Sequence, residues 1–303
     1  MKNIFGGFFI ATYRTIFFSL LIAFFAAACG GSKTLPSSNP AEVKELFILC
    51  GAANKPAMEE IASAFEKERG VKITMTFGGS GTLLSQCELS RKGDIYLPGS
   101  PDYIIIGENK KLLIPHSDTI VCYLIPAIIV PKGNPKQIHT LEDLAKPGVK
   151  VGVGNPETVC LGLYGIELLE YNHLLERVMP NIVTFGESCE KSANLAAMRQ
   201  CDAILGWSVF ESWNPDKMQF IQIPSERIPR LSYVPISIPV TVRDTELAKE
   251  FINYVTGPVG QQIYQKWGYI ADLEVAKKFA PTASIGGEYK LPEKFFELLK
   301  KKK

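Results

Sequence analysis

Short apolar runs alternate with helix-period segments from residue 46 to residue 206, and that rhythm restricts the chain to few architectures. Residues 46–50 read as a strand. Residues 56–69 read as a helix, with Met58, Ile61, Ala62 and Phe65 at i, i+3, i+4 and i+7. Glu59, Glu60, Glu66 and Lys67 take its other face; Asn54 is placed as its N-cap and Gly70 as its stop. A strand over 71–77, a helix from about residue 81 and a strand over 94–97 follow. The order returns mid-chain as strand 150–153, helix 158–169, strand 182–185, helix 190–199 and strand 203–206. Such alternation predicts an α/β protein whose mainly parallel sheets carry helices on both faces.

Two segments interrupt the rhythm. Residues 119–130 (TIVCYLIPAIIV) and 231–242 (LSYVPISIPVTV) are long extended stretches with internal proline. Each is too long for one ordinary strand, and proline excludes an uninterrupted central one. They read as the two crossovers of a two-lobed molecule. The expected division is 43–124 for the first part of lobe one, 125–234 for lobe two, and 235–303 for the return to lobe one with the C-terminal helices. Helices over 245–256 and 259–267 suit that return.

The first 28 residues read as a sorting segment. Lys2 and Arg14 are its only charges, and residues 16–28 (IFFSLLIAFFAAA) are apolar apart from Ser19. That run has the length of a signal-peptide core and falls short of the roughly 20 residues a bilayer-spanning helix needs. Ala26, Ala27 and Ala28 precede Cys29, an arrangement that resembles a lipobox, with Cys29 as the lipidated residue. The lipobox pattern prefers Leu at the position held by Ala26, and an uncleaved anchor helix is the competing reading. Residues 29–42 then form the lipidated cysteine and a tether, since 30–40 (GGSKTLPSSNP) hold too little apolar surface to fold. Either reading places the rest of the chain outside the cytoplasm, anchored to a membrane.

Charge excludes one class of partner. Lys2 and Arg14 removed from the 33 basic residues leave 31 against 31 acidic ones, so no broad basic face for nucleic acid is expected. The basic run at 300–303 reads as a solvated helix end. Six cysteines beyond Cys29 (Cys50, Cys87, Cys122, Cys160, Cys189 and Cys201) lack CxxC spacing, which excludes zinc-ribbon and thioredoxin readings. Their even number in an exported chain permits disulfides, while the size of the chain permits folding without them. His116, His139 and His173 lack metal-ligand spacing, and Ser80 sits in no GxSxG elbow. Neither catalysis, a cofactor nor a directly ligated cation is expected.

Chemistry is expected where strands run into helices, because open parallel sheets bind ligands beyond their carboxyl ends. Four such junctions are small, polar and nearly free of charge: 51–54 (GAAN), 78–82 (GGSGT), 154–156 (GNP) running to 161–162, and 186–189 (GESC). Glu157 and Glu187 must point away if an anion sits there. First-turn N–H groups have no intrahelical partner and carry partial positive charge, so several junctions facing one cleft can seat a dianion without lysine or arginine. Trp207, after the last strand, offers an indole N–H, although a packed core aromatic is its ordinary role.

The same segments resemble the periplasmic molybdate-binding components of ABC importers over about residues 46–270. GGSGTLLSQ (78–86), GDIYLPGS (93–100) and VPKGNPKQIHTLEDLAKPGVKVGVGNPETV (130–159) carry the likeness, and DAILGW (202–207) adds to it. The resemblance implies the type II periplasmic-binding-protein fold, with two lobes joined by a two-strand hinge. It also implies that molybdate or tungstate is held in the inter-lobe cleft by backbone amides, hydroxyls and one aromatic donor. Position by position, the ligand-binding residues fall at Ala53, where the family's serine hydroxyl is lost, and at Ser80, Leu161, Cys189 and Trp207. The implied partners are the permease and ATPase of the importer, with membrane lipid through Cys29 and a monomeric state. Sulfate, phosphate, ferric iron or an organic acid is the alternative ligand. A lipid-anchored surface sensor is the alternative role.

Overall fold

The computed structural model describes residues 44–302; Cys29, the expected signal peptide and the tether lie outside them. The first lobe is built on a parallel sheet in the order β2-β1-β3, from β1 (Glu45–Gly51), β2 (Lys72–Gly78) and β3 (Ile95–Leu97). Helices α1 (Lys55–Arg69), α2 (Ser80–Ser90) and α3 (Asp102–Asn109) follow those strands in turn. α1 buries the face read from its periodicity, and Gly70 ends it at φ 65°, where its N–H donates to the Glu66 carbonyl. Asn54 stands at the N-cap position of this helix as expected, but its side chain makes no capping hydrogen bond. It lies in a short 3-10 turn, and its amide donates instead to the Gly51 carbonyl at 3.3 Å.

The first expected crossover divides at Ile125 into β4 (Thr119–Leu124) and β5 (Pro126–Pro131). The second lobe then runs through β6 (Val151–Gly154), α4 (Cys160–Tyr171), α5 (Leu175–Val178), β7 (Ile182–Gly186) and α6 (Cys189–Ala197). It continues with β8 (Ala203–Trp207), α7 (Phe210–Trp213) and β9 (Met218–Gln222). Its sheet has the order β7-β6-β8-β5-β9, in which β5 alone is reversed. β10 (Arg230–Ile236) returns antiparallel to β4, and this pair forms the hinge.

Past the hinge, α8 (Thr245–Thr256) and α9 (Pro258–Lys266) rejoin the first lobe. Phe251 of α8 meets Phe65 of α1 edge-on, with ring centroids 5.0 Å apart. Pairs of this geometry contribute about 0.5–1.5 kcal/mol beyond area burial. The remaining elements are α10 (Leu273–Lys277), β11 (Ser284–Ile285) and α11 (Glu293–Lys302). Ala276, Ala280 and Phe295 from this last stretch join the core of the second lobe, alongside Val151, Ile166 and Leu205. The other core runs without interruption from Leu46 and Phe65 of the first lobe to Cys160, Cys189 and Trp207 of the second. Among the described residues no helix is long and apolar enough to cross a membrane.

Candidate functional site

The loops beyond β1, β2 and β3 meet the loops beyond β6 and β7 face to face. Gly81 of the first lobe donates its N–H across the interface to the Thr158 carbonyl of the second, at 2.9 Å. Glycine is required where the lobes come closest. A Cβ at Gly79 would lie 2.7 Å from the Thr158 carbonyl oxygen and 3.0 Å from that of Glu187; one at Gly99 would lie 2.5 Å from Cys160 Sγ. The Gly-Gly-Ser-Gly turn is therefore a mating surface as well as a turn. Lys55 and Glu190 close the rim of the same interface with a 2.9 Å ion pair. Half-exposed pairs of this kind contribute about 0–1 kcal/mol.

All five residues anticipated for the site are buried between the lobes: Ala53, Ser80, Leu161, Cys189 and Trp207. Ser80 opens α2, and its Oγ accepts the Gly99 N–H at 3.1 Å. A hydroxyl that accepts in this way keeps its own proton to donate. Ala53 offers no side-chain donor, and its carbonyl accepts the Tyr269 hydroxyl. Leu161 lies in the first turn of α4, and Cys189 opens α6 behind Ser188, whose Oγ caps the helix by accepting the Lys191 N–H at 3.1 Å.

Trp207 ends β8. Its ring meets Tyr164 in a T-shaped contact at 5.1 Å, and its indole N–H is buried without a hydrogen-bond partner of normal geometry. Buried donors left in this state are rare in folded proteins and mark places where a further acceptor belongs. Thr158 Oγ1 is a second such atom in the same interface.

The Cys189 thiol lies beside the Cys160 thiol, with the Leu161 N–H and the Trp207 indole turned toward it. Hydrogen bonding with Cys160, reinforced by burial, holds Cys189 well above the ordinary thiol range, so it stays neutral. Glu157 and Glu187 are exposed, as an anion seat demands. No ionised side chain is among the five residues. Among the described residues no cluster of His, Cys, Asp and Glu is arranged to hold a metal ion.

Three participants escaped the reading of the sequence. Gly99 and Thr158 lie within stretches of family likeness, and the Gly-Ser pair after residues 95–97 repeats the small-residue signature of the other loops. Tyr164 carried no signal, since it is one apolar position in a helix buried on nearly every side.

The family model described as bacterial extracellular solute-binding protein matches residues 46–270. The molybdate-binding protein ModA of Escherichia coli is 22% identical over 237 residues, covering 76% of this chain and 90% of that protein. Among solved structures, the periplasmic molybdate-binding protein of Azotobacter vinelandii superposes with a TM-score of 0.65 at 17% identity, over 75% of this chain and 99% of that one. The sulfate-binding protein SubI of Mycobacterium tuberculosis superposes with a TM-score of 0.67 at 15% identity, over 80% of this chain and 94% of that one. The shared architecture is the type II periplasmic-binding-protein fold, as expected from the sequence.

Proposed function

Because this chain belongs to the bacterial extracellular solute-binding protein family, we propose that it captures molybdate or tungstate between its lobes and delivers the anion to the permease and ATPase of an ABC importer. The relatives are exported binding proteins and not enzymes, which supports capture over catalysis. The observation that carries the reading is the set of buried donors without formal charge at the lobe interface. Ser80 keeps a hydroxyl proton, Trp207 an unpartnered indole N–H, and the first turns of α2, α4 and α6 converge there.

Hydrogen bonds to a charged group contribute about 1.5–3 kcal/mol each. Six such bonds sum to roughly 9–18 kcal/mol before the cost of association, against the about 8 kcal/mol net that micromolar binding requires. A spherical tetrahedral dianion suits donors arriving from several directions, and the neutral thiol of Cys189 does not repel it.

Sulfate is the second reading, favoured by the likeness to SubI. Isothermal titration of the mature domain with molybdate, tungstate, sulfate and phosphate separates the two. The expected outcome is micromolar or tighter binding of the metalates and weak binding of the others. Heat from sulfate alone would transfer the assignment to sulfate, and no heat from either metalate would end the present one. Lipidation of Cys29 belongs to the same proposal. Tethering beside the permease raises the effective concentration of loaded protein, and Cys29→Ser should release it from the membrane fraction.

A further inference from the structure

We propose that residues 284–302 form a strap that, together with Arg230, latches the two lobes closed and sets how readily they part. The proposal rests on the reading that a solute is held between the lobes, but not on which solute. The segment lies beyond residue 270, where the family match ends.

Arg230 is the first residue of the hinge strand β10 and is 4% exposed. Its Nη1 donates to both carboxylate oxygens of Asp102, at 3.0 and 3.1 Å, on α3 of the first lobe. Its Nε donates at 2.8 Å to Glu167, on α4 of the second lobe. One buried guanidinium therefore holds a carboxylate from each side. A buried charge that loses one of its partners is strongly disfavoured, so separation of the lobes at this point is resisted.

The strap completes the latch. Gly287 accepts from Arg230 Nη1 at 2.8 Å, and the Tyr289 N–H donates to Asp102 at 2.9 Å. The Tyr289 hydroxyl donates to Glu170 of the second lobe. The chain turns at Gly286, at φ 62°, where a Cβ would meet the Tyr233 ring and Pro101, so the strap is threaded between the hinge and the first-lobe loop. Its far end is fastened to the second lobe by Phe295, which packs edge-on to Phe185, and by Lys302, which donates to the Met179 carbonyl at 2.8 Å.

The latch also stands behind the candidate site. The guanidinium carbon of Arg230 lies 3.9 Å from the centre of the Tyr164 ring, which in turn packs against Trp207. Movement of Arg230 is thus felt at the site through two contacts.

Amide exchange of the anion-free, full-length mature protein, labelled with 15N-glycine, tests the latch. The Gly81 N–H bridges the lobes and reports their separation, whereas Gly206, inside β8, reports global unfolding. In Asp102→Asn and Tyr289→Phe, exchange at Gly81 should accelerate about tenfold while Gly206 is unchanged, because exchange follows local opening. Molybdate dissociation from the same variants, followed by stopped flow, should quicken in step. Unchanged exchange at Gly81, or equal acceleration at Gly81 and Gly206, would overturn the latch. The exchange measurement contains no anion, so it stands whether or not molybdate proves to be the cargo.

Discussion

An alanine at position 79 needs room that the first lobe has and the closed pair of lobes lacks. Gly79 has φ −68° and ψ 144°, which alanine adopts freely, so the substitution carries no backbone strain. Its new Cβ would stand 2.7 Å from the Thr158 carbonyl oxygen, 2.9 Å from Val159 Cγ2 and 3.0 Å from the Glu187 carbonyl oxygen, all in the second lobe. Ordinary carbon–oxygen contacts begin near 3.3 Å, so the lobes must part by about 0.6 Å. The Gly81-to-Thr158 hydrogen bond, 2.9 Å in the structure, then lengthens to about 3.5 Å, where little of it survives. Losing that bond and one charge-assisted bond to the anion costs roughly 2–4 kcal/mol. Affinity for molybdate should fall by roughly 30- to 700-fold. Titration calorimetry of Gly79→Ala against the unaltered protein measures this, and melting curves without anion should show a loss no larger than that one neutral hydrogen bond, about 0.5–1.5 kcal/mol. Unchanged affinity in the variant would mean that the lobes do not close on the ligand as described.

Trp207 and Glu142 supply two further tests. Trp207→Phe removes a buried donor that has no protein partner of normal geometry, so molybdate affinity should drop about 10- to 150-fold, the equivalent of one charge-assisted bond. Trp207→Tyr, which restores a hydroxyl donor, should stay within about tenfold of the unaltered protein; equal affinities for the two variants would remove Trp207 from the site. In the second lobe, hydrogen bonds from the Arg227 guanidinium, at 2.8 and 2.6 Å, hold Glu142 down to about 2. A depressed carboxylate stabilises the fold above its unfolded pKa, near 4.3, and that contribution fades as pH falls toward 2. The stability difference between the unaltered protein and Glu142→Gln, from urea unfolding at pH 6, 4 and 3, should therefore shrink with acid. A constant difference would show that the pair is not what sets it.

Local pattern carried the regular elements, and distance in sequence hid the rest. The helix over 245–256 coincides with α8 because Leu247, Phe251, Ile252 and Val255 repeat with the helical period and Asp244 caps it. α3 escaped because DYIIIGEN is a short apolar run that helix and strand share. The proline in 119–130 announced an interruption, but that it falls at Ile125, between the hinge and the second sheet, is decided by pairing with β8 and β10. At the site, Ser80 and Trp207 were legible as a loop hydroxyl and a strand-end aromatic. The Arg230–Asp102–Glu167 group was not, since its members are 63 and 128 residues apart and obey no local rule.

The burial of every described cysteine as a free thiol has a consequence for biogenesis. Inside the fold burial pushes the Cys50 and Cys122 thiols far up, which makes these two poor nucleophiles. In the unfolded chain each sulfur is an ordinary thiol with a pKa near 8.5, free to pair wherever its surroundings are oxidising. Six thiols can pair fully in 15 ways, and the finished structure contains none of those pairings. Yield in an oxidising compartment is thus a race between collapse and thiol exchange. A variant that folds slowly will accumulate as scrambled disulfides even when its native state is stable, and the completed fold serves as the protecting group for its own sulfurs.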